Sequence, residues 1–187
     1  MNRRFNISPT GLEGVVLIER RPLSDRRGWL ERVYCREEME PLLGGRRIEQ
    51  INRTLTRRRG TVRGLHLQRP PHAETKVVAC LRGAVFDVAV DLRAGSPSFL
   101  RWHGATLTAG DARMLLVPEG CAHGFQTLAD DCELYLHTAA YVPDAEMAIA
   151  PCDQRLAIAW PEPITDLSDR DASAPSLDPA FEGVVLP

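Results

Sequence analysis

Ala84-Val85-Phe86-Asp87-Val88-Ala89-Val90-Asp91-Leu92 is the stretch from which the fold is read. Phe86, Val88, Val90 and Leu92 fall on one face of an extended chain, and Asp87, Ala89 and Asp91 on the other. That alternation has the period of a β-strand, and β-branched residues suit it. Arg82-Gly83 closes it on one side and Ala94-Gly95-Ser96-Pro97 on the other. The same grammar of short apolar runs and turns repeats outward. Upstream, strands are expected over 15–18, 29–34, 50–56, 62–68 and 76–81, with a short helix over 36–43. Downstream they are expected over 102–107, 112–117, 124–128 and 133–138, separated by turns at Ala109-Gly110-Asp111, Pro118-Glu119-Gly120 and Ala129-Asp130-Asp131. From Pro143 onward proline, aspartate and alanine rise, which predicts irregular strands and a short helix wrapping the rest. Eight or more short strands at this spacing imply an all-β sandwich or barrel of the jelly-roll kind. At 187 residues the chain is expected to form one domain, 1–187, with a sizeable core.

Composition narrows the partners. A hydrophobic share of 44% and a charged share of 26% are ordinary for a globular protein. A net charge of −2 gives no general reason to expect nucleic acid or an anionic membrane. The arginines cluster at Arg26-Arg27, Arg46-Arg47 and Arg57-Arg58-Arg59, a pattern of solvated surface or of a phosphate-bearing ligand. No apolar run approaches the roughly 20 residues of a membrane span. The start, Met1-Asn2-Arg3-Arg4-Phe5, runs into polar residues and does not read as a secretory signal. The five cysteines (35, 80, 121, 132, 152) are odd in number without a CxxC pair, which fits buried thiols in a reducing cytoplasm.

The chemistry concentrates in Val62-Arg63-Gly64-Leu65-His66-Leu67-Gln68. Ten residues beyond His66 stands Lys76, the only lysine among 23 basic side chains. Lysine is a compact point charge and arginine a broad fork, so the two do not substitute for each other. A metal-binding jelly roll would carry two histidines two apart on one strand face. Here position 68 is glutamine and position 64 glycine, so no metal is expected. His66 is then a candidate general base, supported by the acidic face of Asp87 and Asp91. His123 lies in Pro118-Glu119-Gly120-Cys121-Ala122-His123-Gly124-Phe125, where it can reach the mouth of a barrel. In a regular strand Arg63 and His66 point to opposite faces. Both serve one pocket only if the strand kinks or bulges at Gly64.

At these residues the chain resembles the dTDP-4-dehydrorhamnose 3,5-epimerases, metal-free cupin-type jelly rolls of nucleotide-sugar metabolism. The likeness runs from about Gly14 to Asp171. It is carried in order by Asp25-Arg26-Arg27-Gly28-Trp29-Leu30-Glu31, Gln50-Ile51-Asn52-Arg53-Thr54, Arg63-Gly64-Leu65-His66-Leu67-Gln68, Lys76-Val77-Val78, Phe86 to Pro97, Pro118 to Phe125, Tyr135 and Leu167-Ser168-Asp169-Arg170-Asp171.

The resemblance implies a cofactor-free enzyme acting on a nucleoside-diphosphate 4-keto-6-deoxy sugar. The C4 ketone acidifies the hydrogens on C3 and C5, and epimerisation removes one from one face and returns one to the other. By resemblance His66 is the base, Asp171 holds its other ring nitrogen, Lys76 lies by the C4 oxygen and Tyr135 is the opposed acid. Asp87 is expected to orient Lys76, His123 to line the pocket, and Arg63 to grip the diphosphate. Gln50, Asn52, Gln68 and Tyr141 match substrate-contact positions. Arg27 and Glu31 do as well, reaching across from the partner subunit of a homodimer. The chain departs from the family at Leu136, where a lysine is usual, at Ala140, where a tyrosine is usual, and at Ala150-Pro151-Cys152-Asp153 before Trp160. Those changes touch the nucleotide clamp more than the catalytic set. Epimerisation of a different nucleoside-diphosphate 4-keto sugar, or at one carbon only, therefore stands beside the lead reading. So do a metal-dependent cupin oxygenase or isomerase and a non-catalytic nucleotide-sugar binding cupin.

Overall fold

The computed structural model describes residues 3–187, with the side chains of residues 134–138 outside that description. Thirteen strands are described: β1 Phe5–Pro9, β2 Val16–Arg20, β3 Leu23–Asp25, β4 Gly28–Leu30, β5 Gln50–Thr56, β6 Val62–Gln68, β7 Lys76–Arg82, β8 Ala84–Asp91, β9 Trp102–Thr108, β10 Arg113–Val117, β11 Cys121–Thr127, β12 Cys132–Thr138 and β13 Glu146–Ala148. Two short α-helices, α1 Arg36–Leu43 and α2 Asp169–Ala172, and a 3₁₀ turn over Pro143–Ala145 complete the described elements. The fold is the cupin-type jelly roll. One six-stranded sheet runs β1-β2-β10-β7-β12-β5, and it faces a five-stranded sheet, β13-β6-β11-β8-β9. A small hairpin, β3-β4, stands apart from both. No described helix is long and apolar enough to cross a membrane.

The 84–92 stretch explains why this is a three-layer arrangement of side chains. Between the sheets lie Val85 and Ala89 of β8 with Val78, Cys80, Leu107, Leu115, Val117 and Phe125. Val88, Val90 and Leu92 pack on the opposite side, beneath Ile149, Leu156, Leu177 and Val184 of the C-terminal segment. The five-stranded sheet is therefore buried on both faces, and its outer cover is the irregular tail. The six-stranded sheet has its own outer cover, in which Met39 and Leu43 of α1 meet Ile18, Val77, Met114 and Leu116. Each fully buried aliphatic side chain of this kind contributes about 1.5–3 kcal/mol.

The differences from the sequence reading have local causes. β1 was not expected, because its burial pattern shows only Phe5 inside and four exposed residues after it. The run expected over 29–34 pairs only through Leu30, since β4 has no partner but β3. Asp87 and Asp91 share a face of β8 but serve different ends of it. Asp87 turns toward the barrel interior and His123. Asp91 closes the turn after β8 by accepting from Arg93, Ser96 and Ser98.

Candidate active site

One open end of the jelly roll holds a cavity of about 430 Å³, lined among others by Asn52, Thr54, Arg63, His66, Glu74, Lys76, His123, Tyr141, Glu146, Arg170 and Asp171. His66 of β6 and His123 of β11 are direct partners across the strand pair, so both rings enter from one side. The register between the two strands shifts after that pair, between His123 and Phe125. Gly64 sits at the irregularity with φ 122°, and a Cβ there would lie 2.6 Å from the Cα of Gly124. A residue without a side chain lets the two backbones approach this closely. The shift brings Arg63 and His66 to the same cavity, as the bulge at Gly64 requires.

His66 Nε2 stands 2.7 Å from Asp171 Oδ1. The other carboxylate oxygen, Oδ2, accepts from the backbone N–H of Gly64 at 3.2 Å. Asp171 thus holds both the imidazole and the irregular backbone beside it. The side chain itself is placed by α2, whose N-cap Ser168 accepts from the Asp171 N–H. Burial pushes the Asp171 carboxyl up, but hydrogen bonding to His66, the charge of that ring, and the Gly64 and Ser168 contacts outweigh it. The net effect holds Asp171 below the usual carboxylate range. An ionised Asp171 accepts only, which assigns the proton to Nε2 and leaves Nδ1 to take one up. Arg170 Nη2 lies 3.1 Å from the same nitrogen, donor facing donor in that tautomer and so no hydrogen bond, and its guanidinium pairs instead with Glu146 at 2.7 Å. Tyr141 Oη donates to the same Glu146 carboxylate at 2.9 Å.

Lys76 is buried, and its ammonium donates to the carbonyl oxygen of His66 at 2.9 Å. Its carboxylate partner is Glu74 Oε1, at 2.9 Å. Asp87 does not orient Lys76, as the sequence reading had it. Its Oδ1 lies 2.8 Å from His123 Nε2, one strand away. Gln68 lies behind the cavity wall: its Oε1 accepts from Val142 N–H at 2.6 Å and its Nε2 donates to Ala140 O and Glu74. Gln50 accepts from the Tyr141 N–H at 2.8 Å and is also off the cavity. Arg27 and Glu31 are further away still. Arg27 is engaged with Asp25 in the exposed β3-β4 hairpin, and Glu31 with the buried Arg20 at 3.0 Å. The backbone of Tyr135 pairs with Arg53 and Ala79, and its side chain lies outside the described residues.

Glu74, Glu146 and Arg170 escaped the sequence reading. Glu74 was within reach of it, since this carboxylate stands two residues before the only lysine, in the segment leading into β7. Glu146 had no such signal, because it meets Arg170 across 24 residues of irregular chain. Two buried cysteines are poorly suited to act as nucleophiles: burial raises Cys80 to about 11 and Cys121 to about 12. Among the described residues no three histidine, cysteine or carboxylate side chains converge as metal ligands.

A jelly roll with a histidine–carboxylate pair, a buried ammonium and an arginine at one open end defines a class of cupin-type proteins equipped to move protons on an anionic ligand. The comparisons narrow that class. The profile of the dTDP-4-dehydrorhamnose 3,5-epimerases matches residues 9–179. The dTDP-4-dehydrorhamnose 3,5-epimerase of Salmonella typhimurium is 40% identical over 175 residues, 92% of this chain and 95% of that one. The dTDP-4-dehydrorhamnose 3-epimerase of Streptomyces niveus is 38% identical, over 98% of this chain and 89% of that one. Among solved structures, the dTDP-6-deoxy-D-glucose-3,5-epimerase of Legionella pneumophila in complex with dTDP-4-keto-L-rhamnose superimposes with a TM-score of 0.88. It is 34% identical, covering 98% of this chain and all of that one. The chain belongs to the dTDP-4-dehydrorhamnose 3,5-epimerase family, and is an isomerase of deoxysugar biosynthesis.

Proposed function

We propose that this protein inverts both C3 and C5 of a dTDP-4-keto-6-deoxyhexose by proton transfer through an enolate. The observation that carries the reading is the arrangement around His66: an imidazole backed by Asp171 at 2.7 Å, with the Lys76 ammonium tied to the same residue's carbonyl at 2.9 Å. His66 takes the acidic hydrogen next to the ketone. Asp171 keeps its tautomer and steadies the imidazolium that forms. Lys76 faces the C4 oxygen, where charge grows as the proton leaves. Tyr135 returns a proton from the opposite face. Arg63, at the cavity rim, takes the diphosphate as a bidentate fork, and Asn52, His123 and Tyr141 complete the sugar and nucleotide contacts. The complex of the Legionella relative supports a dTDP-sugar as ligand. No cofactor enters this scheme.

The reading treats residues 1–187 as one domain and the working unit as a homodimer. Trp29 and Leu30 on the β3-β4 hairpin are each 70% exposed, and Arg27 and Glu31 flank them without reaching their own cavity. A second copy of the chain would cover those apolar side chains and receive Arg27 and Glu31 at its site. Five unpaired cysteines suit a reducing compartment such as the cytoplasm.

The test is deuterium incorporation followed by NMR, with the protein in D2O and dTDP-4-keto-6-deoxyglucose as substrate. Exchange at C3 and C5 is expected. Exchange at C3 alone would make it a single-carbon enzyme, the reading favoured by likeness to the Streptomyces niveus 3-epimerase. Binding without exchange would leave a non-catalytic nucleotide-sugar protein.

A further inference from the structure

Two hydrogen-bond donors converge on Glu74 from opposite sides. Lys76 Nζ reaches Oε1 at 2.9 Å and Gln68 Nε2 reaches Oε2 at 3.2 Å. Neither donor can reverse its role. An ammonium has no acceptor. The Gln68 amide is fixed by backbone: its oxygen accepts from Val142 N–H at 2.6 Å and its nitrogen also donates to Ala140 O at 3.2 Å. Flipping it would set donor against donor and acceptor against acceptor. Position 74 must therefore supply two acceptors at once, which a carboxylate does and a carboxamide does not. Gln68, Glu74 and Lys76 are all buried, at 1%, 8% and 8% exposure, so a misplaced partner is not replaced cheaply by water. The relay runs from the 140–142 backbone through Gln68 and Glu74 to Lys76, and ends on the carbonyl of His66.

We propose that Glu74 is a positioning residue that clamps the Lys76 ammonium, so that two of its N–H bonds are held by Glu74 and the His66 carbonyl and the third is delivered into the cavity, to the substrate oxygen that gains charge. The inference rests on the epimerase reading for the identity of that oxygen. The clamp does not depend on it. Among the described residues Lys76 has these two partners and no third. An ammonium so held acts on the transition state without first having to be oriented.

The chain allows a direct test because Lys76 is its only lysine. Untagged protein labelled with 15N at lysine Nζ yields one ammonium signal. In the parent the proposal expects a sharp Nζ–H cross-peak at neutral pH, because a clamped ammonium exchanges slowly with water. In Glu74→Gln that peak should broaden beyond detection, while the melting temperature shows the variant folded. Isotope exchange by Glu74→Gln should then lose roughly 10- to 100-fold in kcat with little change in KM, the pattern of an interaction made in the transition state. A parent signal averaged with water, or a variant signal identical to the parent's, overturns the clamp. A lost signal with unchanged kcat overturns its part in catalysis. A parent that exchanges no substrate proton, yet shows the clamped signal and its loss in the variant, sinks the epimerase reading while the clamp stands.

Discussion

His66 has one ring nitrogen engaged and one left for chemistry, and that asymmetry makes the strongest predictions. Replacing His66 by alanine should reduce C3 and C5 exchange to background. Asp171→Asn keeps the shape but offers the ring a donor as well as an acceptor. Turnover should drop on the order of 10³- to 10⁴-fold, as wrong-tautomer changes do in other histidine–carboxylate pairs. A loss under tenfold in single-turnover exchange would remove Asp171 from that role. Tyr135→Phe should spare exchange at C3 and slow it at C5. Equal exchange at both carbons would refute its assignment as the opposed acid. Of this set, His66 and Lys76 are legible in the sequence by residue type, since the one histidine on the 62–68 strand and the one lysine in the chain invite attention. Asp171 is not, because Ser168-Asp169-Arg170-Asp171 read in isolation is an exposed polar turn. Only the placement of α2 beside β6 turns its carboxylate inward, leaving Asp171 as the one buried residue of that helix.

Backbone geometry at strand ends carries the next level. Gly64→Ala would place a Cβ 2.6 Å from the Cα of Gly124 and 2.8 Å from the carbonyl oxygen of His123, at a positive φ. Neither neighbour is a flexible side-chain end. The variant should lose exchange activity more than thermal stability alone accounts for, because Arg63 and His66 no longer share the cavity. A Gly64→Ala protein with parental turnover would show that the register shift is immaterial. The turn after β8 makes a pH-dependent case. Burial pushes Asp91 up, but Arg93, Ser96 and Ser98 outweigh it and bring it down to about 2. Its folded value lies below the unfolded one near 3.9, so it stabilises above that pH, and the contribution fades as pH falls toward 2. Asp91→Asn should lower the melting temperature at pH 7 by the equivalent of no more than about 2.5 kcal/mol. The gap to the parent should shrink below pH 4. A gap constant from pH 7 to pH 2.5 would exclude the ionic origin.

The chain as a whole depends on its irregular tail. Residues 149–186 cover Leu65, Leu67, Val88, Val90 and Leu92 on the outer face of the five-stranded sheet. Ending the chain at Pro151 would expose that face and delete Asp171, so the shortened protein should fail to give a cooperative thermal transition. The full chain is expected to unfold in one transition, and two separated transitions would argue against a single domain. Light scattering should give twice the chain mass. Trp29→Glu with Leu30→Glu should shift it toward the monomer and reduce exchange. Persistence of the dimer in that variant would move the interface elsewhere.

Strand periodicity and turn residues are enough to expect an all-β jelly roll, and the order of the motifs carries the resemblance to the epimerase family. Those signals are local, and a period of two in short runs is written residue by residue. Folding decided what no local pattern encodes. The face of β8 rich in valine lies under the tail, and the face with the two aspartates lies inside the barrel. Asp87 serves His123, and Glu74 serves Lys76. Gln68 ties Glu74 to the chain beyond β12, and Arg27 and Glu31 stay out of the cavity. Each of these depends on which groups meet across long sequence separations once buried polar atoms must find partners, and that pairing is a property of the packed molecule.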